Sequence, residues 1–233
     1  MRISLAVLCA AFLPVAGLAQ QTDWTEIMKD GEAAWDWQPG DLIFRNGLSA
    51  FDDLIRQAEG GEWASVGILR AASGDPRVVF VDEAEGVTER MLYEYTDDLP
   101  PQDYAVYRID ALPGVPVGEQ MQMGPVASFA LFTAYGAPYD RLRVFGNGAY
   151  YNAELPFEAA LSAGVTLGKP LRLRELGSAE PALREKLLEN WNDYRFCRSA
   201  ASAEECWSIM GDMAIITPGA LIASDELRQV WPQ

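Results

Sequence analysis

Short apolar runs bounded by turn residues predict β-strands in the first half of the chain. The turn-forming segment Gln38-Pro39-Gly40-Asp41 is followed by the apolar run Leu42-Ile43-Phe44-Arg45. A second turn, Gly74-Asp75-Pro76, separates two further apolar runs. The predicted strands are therefore residues 42–45, 65–70, 78–82 and 104–109.

Apolar positions three and four residues apart predict helices, most of them in the second half. Such spacing places Phe51, Leu54, Ile55 and Ala58 on one face of a helix over residues 51–58. Strands followed by helices indicate one α+β domain. The further helices are expected over residues 121–135, 154–163 and 178–194, the last beginning at a Ser178 cap, and residues 215–222 are expected to form an irregular arm.

Composition and charge exclude several classes of function. The chain has 233 residues, 49% of them hydrophobic, which suits one or two globular domains. Eighteen Lys and Arg face 34 Asp and Glu, giving a formal charge of −16, so phosphate backbones and anionic membranes would repel it. Nucleic acid is therefore not an expected partner. The sequence contains no histidine, which excludes Ser-His and Cys-His nucleophile pairs and metal sites with imidazole ligands.

The N-terminus has the pattern of a secretion signal. Arg2 precedes an apolar run of about 16 residues, and Gly17 and Ala19 are the small side chains required for cleavage after Ala19. A membrane anchor is the competing interpretation, but the run is shorter than the roughly 20 residues that span a bilayer. We therefore expect residues 1–19 to be a signal peptide and residues 20–233 to form one exported periplasmic domain that does not span a membrane.

The remaining cysteines predict a disulfide. Cys9 would leave with the signal peptide, and Cys197 and Cys206 would remain as a pair in an oxidising compartment. A redox-active pair is the alternative, although eight intervening residues do not match a CxxC motif. The acidic pairs Asp52-Asp53 and Asp97-Asp98 lack the spacing of a calcium loop and are expected on solvated faces. No metal or cofactor is expected.

Five segments occur in an order that resembles a known family. They are Gly40-Asp41-Leu42-Ile43-Phe44-Arg45, Trp63-Ala64-Ser65-Val66-Gly67-Ile68, Val81-Asp82-Glu83-Ala84, Gly136-Ala137-Pro138-Tyr139-Asp140 and Tyr150-Tyr151-Asn152-Ala153-Glu154-Leu155. The order resembles the permuted papain-like amidases, in particular the exported YiiX/YaeF type within the NlpC superfamily. The resemblance spans roughly residues 38–225 and implies a circularly permuted papain-like fold, with a small antiparallel sheet or barrel followed by helices and a C-terminal extension.

The resemblance places the family's catalytic positions on residues that cannot perform its reaction. The family's histidine falls on Ser65, its cysteine nucleophile on Asn152 and its orienting carboxylate on Glu83. Tyr139, Asp140 and Glu154 also match the family pattern. Since asparagine is not a nucleophile and no histidine exists to activate Ser65, the resemblance implies a pseudoenzyme.

Other roles for these residues remain open on sequence alone. Ser65 is also compatible with a small polar filler in an apolar strand, and Glu83 with a solvated strand end. Asn152 suits a helix N-cap that accepts a hydrogen bond from the N–H of Glu154 or Leu155. Tyr150 and Tyr151 suit the core or the wall of a cleft.

Three functions remain in view. The first is binding in the former catalytic cleft, where the ligand would be an envelope peptide, an acylated amine, a partner's chain terminus, or another envelope small molecule or lipid-linked amide. The second is a hydrolase with non-standard groups, either Ser65 or a carboxylate pair of Glu83 and Asp41. The third is a protein-interaction scaffold with a filled cleft. The expected cleft residues are Asp41, Ser65, Glu83, Tyr139, Tyr151, Asn152 and Glu154.

Overall fold

The structure is a computed structural model that describes residues 35–73, 75–100, 103–112, 116–117, 120–121 and 123–232. The predicted signal peptide, residues 1–19, lies outside the described residues. Among those that are described, no helix is both long enough and apolar enough to cross a membrane.

A six-stranded antiparallel sheet organises the first half of the chain. The strands are β1 (Leu42–Arg45), β2 (Ser65–Arg70), β3 (Arg77–Asp82), β4 (Gly86–Met91), β5 (Tyr104–Ile109) and β10 (Leu227–Trp231). Their spatial order is β10-β5-β1-β2-β3-β4, so β10 lies beside β5 at one edge of the sheet. The four predicted strands are confirmed, whereas β4 and β10 were not predicted.

Helices and two small strand pairs complete the α+β architecture. The strand pairs are β6 (Pro116–Val117) with β7 (Gln120–Met121), and β8 (Leu171–Arg172) with β9 (Ala214–Ile215). The helices are α1 (Ala50–Glu59), α2 (Leu92–Thr96), α3 (Gly124–Phe129), α4 (Glu154–Ser162), α5 (Leu173–Ala179), α6 (Pro181–Leu188), α7 (Ala203–Met210) and α8 (Pro218–Ile222). A π-helical turn, Ala130–Ala134, continues α3.

The sheet is covered on both faces, which explains the apolar runs in its central strands. Leu42 and Phe44 contribute to the larger core, whereas Ile43 contributes to a second core on the opposite face. All three are fully buried, as expected when successive side chains point to opposite faces of a covered sheet. The larger core contains α1 and α4, and therefore lies on the face that carries the candidate site.

Local sequence fixes both ends of α1. The Ser49 hydroxyl accepts hydrogen bonds from the backbone N–H groups of Phe51 and Asp52, which otherwise lack partners in the first turn. The helix ends at Gly60, whose φ of 67° is the left-handed conformation that glycine adopts without steric cost. These ends set which α1 side chains face the sheet.

Two predictions for the C-terminal half are wrong in detail. The predicted helix over residues 178–194 is interrupted at Glu180, which caps α6, while Ser178 lies inside α5. The cause is Pro181, because proline disfavours helical geometry in the preceding residue. The predicted irregular arm is partly regular, since it contains β9 and the short helix α8 with Thr217 as its cap.

The predicted disulfide is present. Cys197 and Cys206 are bonded, with their Cα atoms 5.1 Å apart, and both are buried. The bond joins the short helical turn Arg195–Cys197 to α7.

Replacing Cys197 and Cys206 together by alanine is expected to lower the free energy of unfolding by about 2–3 kcal/mol. The main cause is the greater conformational freedom of the unfolded chain once this short loop is no longer closed. Urea unfolding of the oxidised wild type, the reduced wild type and the double variant measures the effect. Equal unfolding midpoints for all three would show that the bond contributes nothing to stability.

Candidate active site

Asn152 is the centre of a buried hydrogen-bond network. It lies two residues before α4, and its Oδ1 accepts from the Val66 backbone N–H at 2.7 Å. Its Nδ2 donates to Asp52 Oδ2 at 2.6 Å and to the Ala64 carbonyl at 3.2 Å. One neighbour is a donor and two are acceptors, so the network also fixes the orientation of the amide.

This network makes the N-cap interpretation of Asn152 wrong. The N–H groups of Glu154 and Leu155 donate instead to the backbone carbonyl of Tyr151, at 3.1 and 3.3 Å. The Asn152 side chain bonds to the loop before β2 and to β2 itself. It therefore links α1, β2 and the start of α4.

Asp52 is a site residue that the sequence did not reveal. The expectation that Asp52 lies on a solvated face is wrong, because the residue is only 9% exposed. Its Oδ2 accepts from Asn152 and, at 3.2 Å, from the Ser65 hydroxyl. The available signal was its helical position, because Asp52 lies three residues before Ile55 on the buried face of α1.

Burial raises the pKa of Asp52 to about 6. The Asn152 hydrogen bond, the positive charge of Arg143 and the Ser65 hydrogen bond oppose this rise, and the negative charge of Glu83 adds to it. Asp52 is therefore mostly ionised at pH 7 and mostly protonated at pH 5.

The three family positions do not form one cluster. Ser65 is the first residue of β2, is buried, and contacts Asp52. Glu83 follows β3, is exposed, and accepts a hydrogen bond from the hydroxyl of Ser49. The structure thus connects Ser65 and Asn152 through the Asp52 carboxylate, whereas Glu83 lies at the protein surface.

Tyr151 and Glu154 lie on the core side of Asn152. The Tyr151 hydroxyl accepts from the Ile216 backbone N–H at 2.9 Å, and burial raises its pKa well above the usual value. Glu154 is completely buried at the start of α4. Both side chains are therefore packed in the protein interior and do not line an open cleft.

Asp41 lies apart from this network. It precedes β1, and its carboxylate accepts two hydrogen bonds from Arg108, at 2.7 and 2.8 Å, and one from the Gln38 backbone. Ser49, the partner of Glu83, follows β1. Asp41 and Glu83 therefore belong to opposite ends of β1, and the structure does not bring them together as a carboxylate pair.

Arg143 lies close enough to the network for its charge to act on the Asp52 carboxylate. Its guanidinium carbon lies 3.5 Å from the centre of the Phe51 ring, and its Nη2 donates to the Tyr139 hydroxyl at 2.8 Å. Asp140 holds the loop in place by accepting from the N–H groups of Leu142 and Val144. Within the described chain, Arg143 is the one non-glycine residue with a positive φ, 56°.

A pocket of about 240 Å³ opens beside this arginine. A neighbouring cavity of about 450 Å³ shares three of its residues, Phe51, Glu83 and Lys186. Neither is lined by Ser65 or Asn152, both of which are buried. The smaller pocket is lined by the aromatic residues Phe51, Tyr139 and Tyr194 and the charged residues Glu83, Arg141, Arg143, Lys186 and Glu189.

Two further features of the described residues bear on function. A larger cavity of about 900 Å³ lies near the end of α1 and the start of α8, and none of the predicted site residues lines it. Within the same part of the chain, no group of three or more Asp, Glu, Cys or His residues is arranged to hold a metal ion.

Comparison with known proteins supports the fold. No protein-family model matches the sequence, and no curated protein matches it. A solved structure does match, the crystal structure of the metalloprotein YiiX from Escherichia coli O157:H7, DUF1105. The TM-score is 0.64 at 24% sequence identity, with 84% of this chain and 97% of that chain covered. The chain therefore has a YiiX-like fold, which confirms the YiiX part of the resemblance found in its motifs.

Proposed function

We propose that this protein is an exported, permuted papain-like domain that binds a ligand without hydrolysing it. The observation that carries the proposal is the set of hydrogen bonds around Asn152. Both polar atoms of its side chain are used within the protein, at the position where the resemblance places a cysteine nucleophile. The site thus has a structural amide in place of a reactive thiol.

The ligand would lie in the pocket next to this network. Phe51 and Arg143 line the pocket, and both are connected to the network, since Phe51 precedes Asp52 in α1 and the charge of Arg143 lowers the pKa of Asp52. Aromatic walls combined with a few charged groups suit recognition of a small molecule or a chain end. The volume of about 240 Å³ lies below the ~300–1,000 Å³ range of pockets for drug-sized ligands, so it suits one end of a larger molecule.

Hydrolysis by Ser65 is the second candidate, because its hydroxyl donates to Asp52. A carboxylate with a pKa of about 6 is a stronger base than an ordinary aspartate. Against this function, Ser65 is 1% exposed, so a substrate carbonyl could reach its oxygen only if the side chains that cover it moved.

A metal centre does not fit the residues of this chain. The structural neighbour is described as a metalloprotein, but the sequence here offers no imidazole. The donor groups around Asn152 are a single buried carboxylate, an amide and a hydroxyl, and the carboxylate oxygen Oδ2 is already bonded to the other two. We therefore assign no step to a metal.

Retention and turnover of envelope compounds distinguish binding from hydrolysis. Purified protein is incubated with an extract of peptidoglycan fragments, small peptides and lipids, and both bound and free compounds are followed by mass spectrometry. We expect wild type to retain a compound unchanged. The variant Asn190→Trp, which fills the pocket, should lose it, while the control Asn147→Trp on an exposed loop should keep it.

Two results would overturn the proposal. Time-dependent consumption of a compound by wild type, abolished in Asp52→Asn, would establish hydrolysis instead. Failure of wild type to retain any compound would remove the binding function.

A further inference from the structure

We infer that the pocket beside Asn152 binds the terminal carboxylate of a peptide-like ligand through Arg143 and Arg141. The inference rests on the proposed binding function and specifies the chemistry that the pocket recognises. The inference is based on a buried guanidinium, that of Arg143, which lines a cavity and has no directly bonded carboxylate within the described chain.

Arg143 is 5% exposed, and arginine is rarely buried to this degree unless it is paired with an anion. Among the residues that the structure describes, no carboxylate oxygen lies within 4.0 Å of its nitrogens. The absence of a pair is notable because the chain has 34 acidic residues against 18 basic ones. Arg143 acts on the Asp52 carboxylate only at longer range and stacks on the Phe51 ring, so its charge has no directly bonded carboxylate within the described chain.

The protein holds Arg143 in a defined orientation. Nη1 donates to the Arg141 carbonyl at 2.7 Å, and Nη2 donates to the Tyr139 hydroxyl at 2.8 Å. These bonds use two of the five N–H groups of a guanidinium. A left-handed backbone at a non-glycine residue is strained, and such strain is concentrated at functional sites. The remaining N–H groups have no hydrogen-bond partner within the described chain, and they belong to a side chain that is held in place at the wall of the pocket.

The other charges of the pocket narrow the choice of anion. Lys186 is already paired with Glu189 at 2.7 Å, whereas the exposed Arg141 has no such acidic partner in the described chain. Two unpaired arginines therefore face the same cavity. The planar fork of a guanidinium suits a carboxylate or a phosphate.

A carboxylate fits this pocket better than a phosphate does. Glu83 and Glu189 line the same cavity, and their negative charges would repel a dianion more strongly than a monoanion. The same carboxylates can accept hydrogen bonds from N–H groups near the ligand's carboxylate. The C-terminal end of a peptide carries both a carboxylate and nearby N–H groups, and its small size suits the pocket volume of about 240 Å³.

Matched peptide pools test this inference. The probes are randomised N-acetyl tripeptides, made once with a free C-terminal carboxylate and once as C-terminal amides. Equilibrium dialysis with mass spectrometry measures their retention by wild type, Arg143→Gln, Arg141→Gln and the control Arg228→Gln, which replaces an exposed arginine on β10. We expect wild type to retain free acids about tenfold better than amides, since a charged acceptor bonds more strongly to arginine.

Arg143→Gln should abolish this preference, Arg141→Gln should reduce it several-fold, and Arg228→Gln should leave it intact. Thermal melting checks that each variant is folded, and the exposed Arg141 keeps the test decisive if the Arg143 variant unfolds. Retention of acids and amides to the same extent, or of neither pool, overturns the carboxylate inference. If envelope compounds are still retained in either case, the proposed binding function stands. Complete competition by inorganic phosphate at equal concentration would instead identify a phosphate ligand.

Discussion

Replacing Asn152 with alanine is expected to lower the free energy of unfolding by about 3 kcal/mol at pH 7. The change leaves the Val66 N–H and the Ala64 carbonyl without their side-chain partner in a buried place, at about 1–3 kcal/mol for each unsatisfied group. It also removes the shortest hydrogen bond to the buried Asp52 carboxylate. Urea unfolding followed by circular dichroism measures the loss.

The loss should be smaller at pH 5 than at pH 7. The Asn152 hydrogen bond lowers the pKa of Asp52, which means that it stabilises the ionised carboxylate. At pH 5 that carboxylate is mostly protonated, so less stabilisation is removed. Asn147→Ala is the matched control, because Asn147 is exposed and accepts one local backbone bond. Equal losses for the two variants at pH 7 would contradict a structural role for the buried network.

The central elements could be predicted because their sequence pattern is strong and local. Residues 42–45 and 65–70 are short apolar runs, and α1 places its apolar residues at helical spacing. The two edge strands were missed because their sequences are polar, with Thr88, Glu89 and Arg90 in β4 and Arg228 and Gln229 in β10. An edge strand is recognised by its hydrogen-bonding partner, and that partner is distant in sequence.

The site was predictable only in part, for a related reason. The order of motifs selected Ser65 and Asn152, and the structure joins them through one carboxylate. That carboxylate belongs to Asp52, 100 positions from Asn152, and its helical spacing to Ile55 was a weaker sign than the adjacent pair of aspartates, a pattern typical of solvated faces. Arg143 was missed because its role depends on a left-handed backbone and on the Phe51 ring. Tertiary packing creates both features.

Glu154 is a second buried carboxyl group near Asn152, and it accepts fewer side-chain hydrogen bonds than Asp52 does. It is completely buried, its Oε2 accepts from the Tyr151 N–H at 3.3 Å, and its Oε1 has no partner among the described residues. Burial raises its pKa to about 8; the Tyr151 N–H opposes the rise, and the charges of Glu158 and Asp140 add to it. At neutral pH the folded protein therefore holds a proton on Glu154 that the unfolded chain does not hold.

Replacing Glu154 with glutamine is expected to remove a pH dependence of stability on the order of 3 kcal/mol between pH 5 and pH 9. Between the ordinary glutamate pKa of about 4.5 and the folded value of about 8, unfolding releases the proton, so wild-type stability falls as pH rises. Glutamine resembles the protonated acid and stays neutral. The variant should therefore be as stable as wild type near pH 5 and increasingly more stable than wild type toward pH 9.

Urea unfolding of both proteins across this pH range measures the difference in their free energies of unfolding. The exposed Glu185→Gln is the control, and its difference from wild type should stay near zero at every pH. A constant difference for Glu154→Gln at every pH would show that this carboxyl group is not held protonated by the fold.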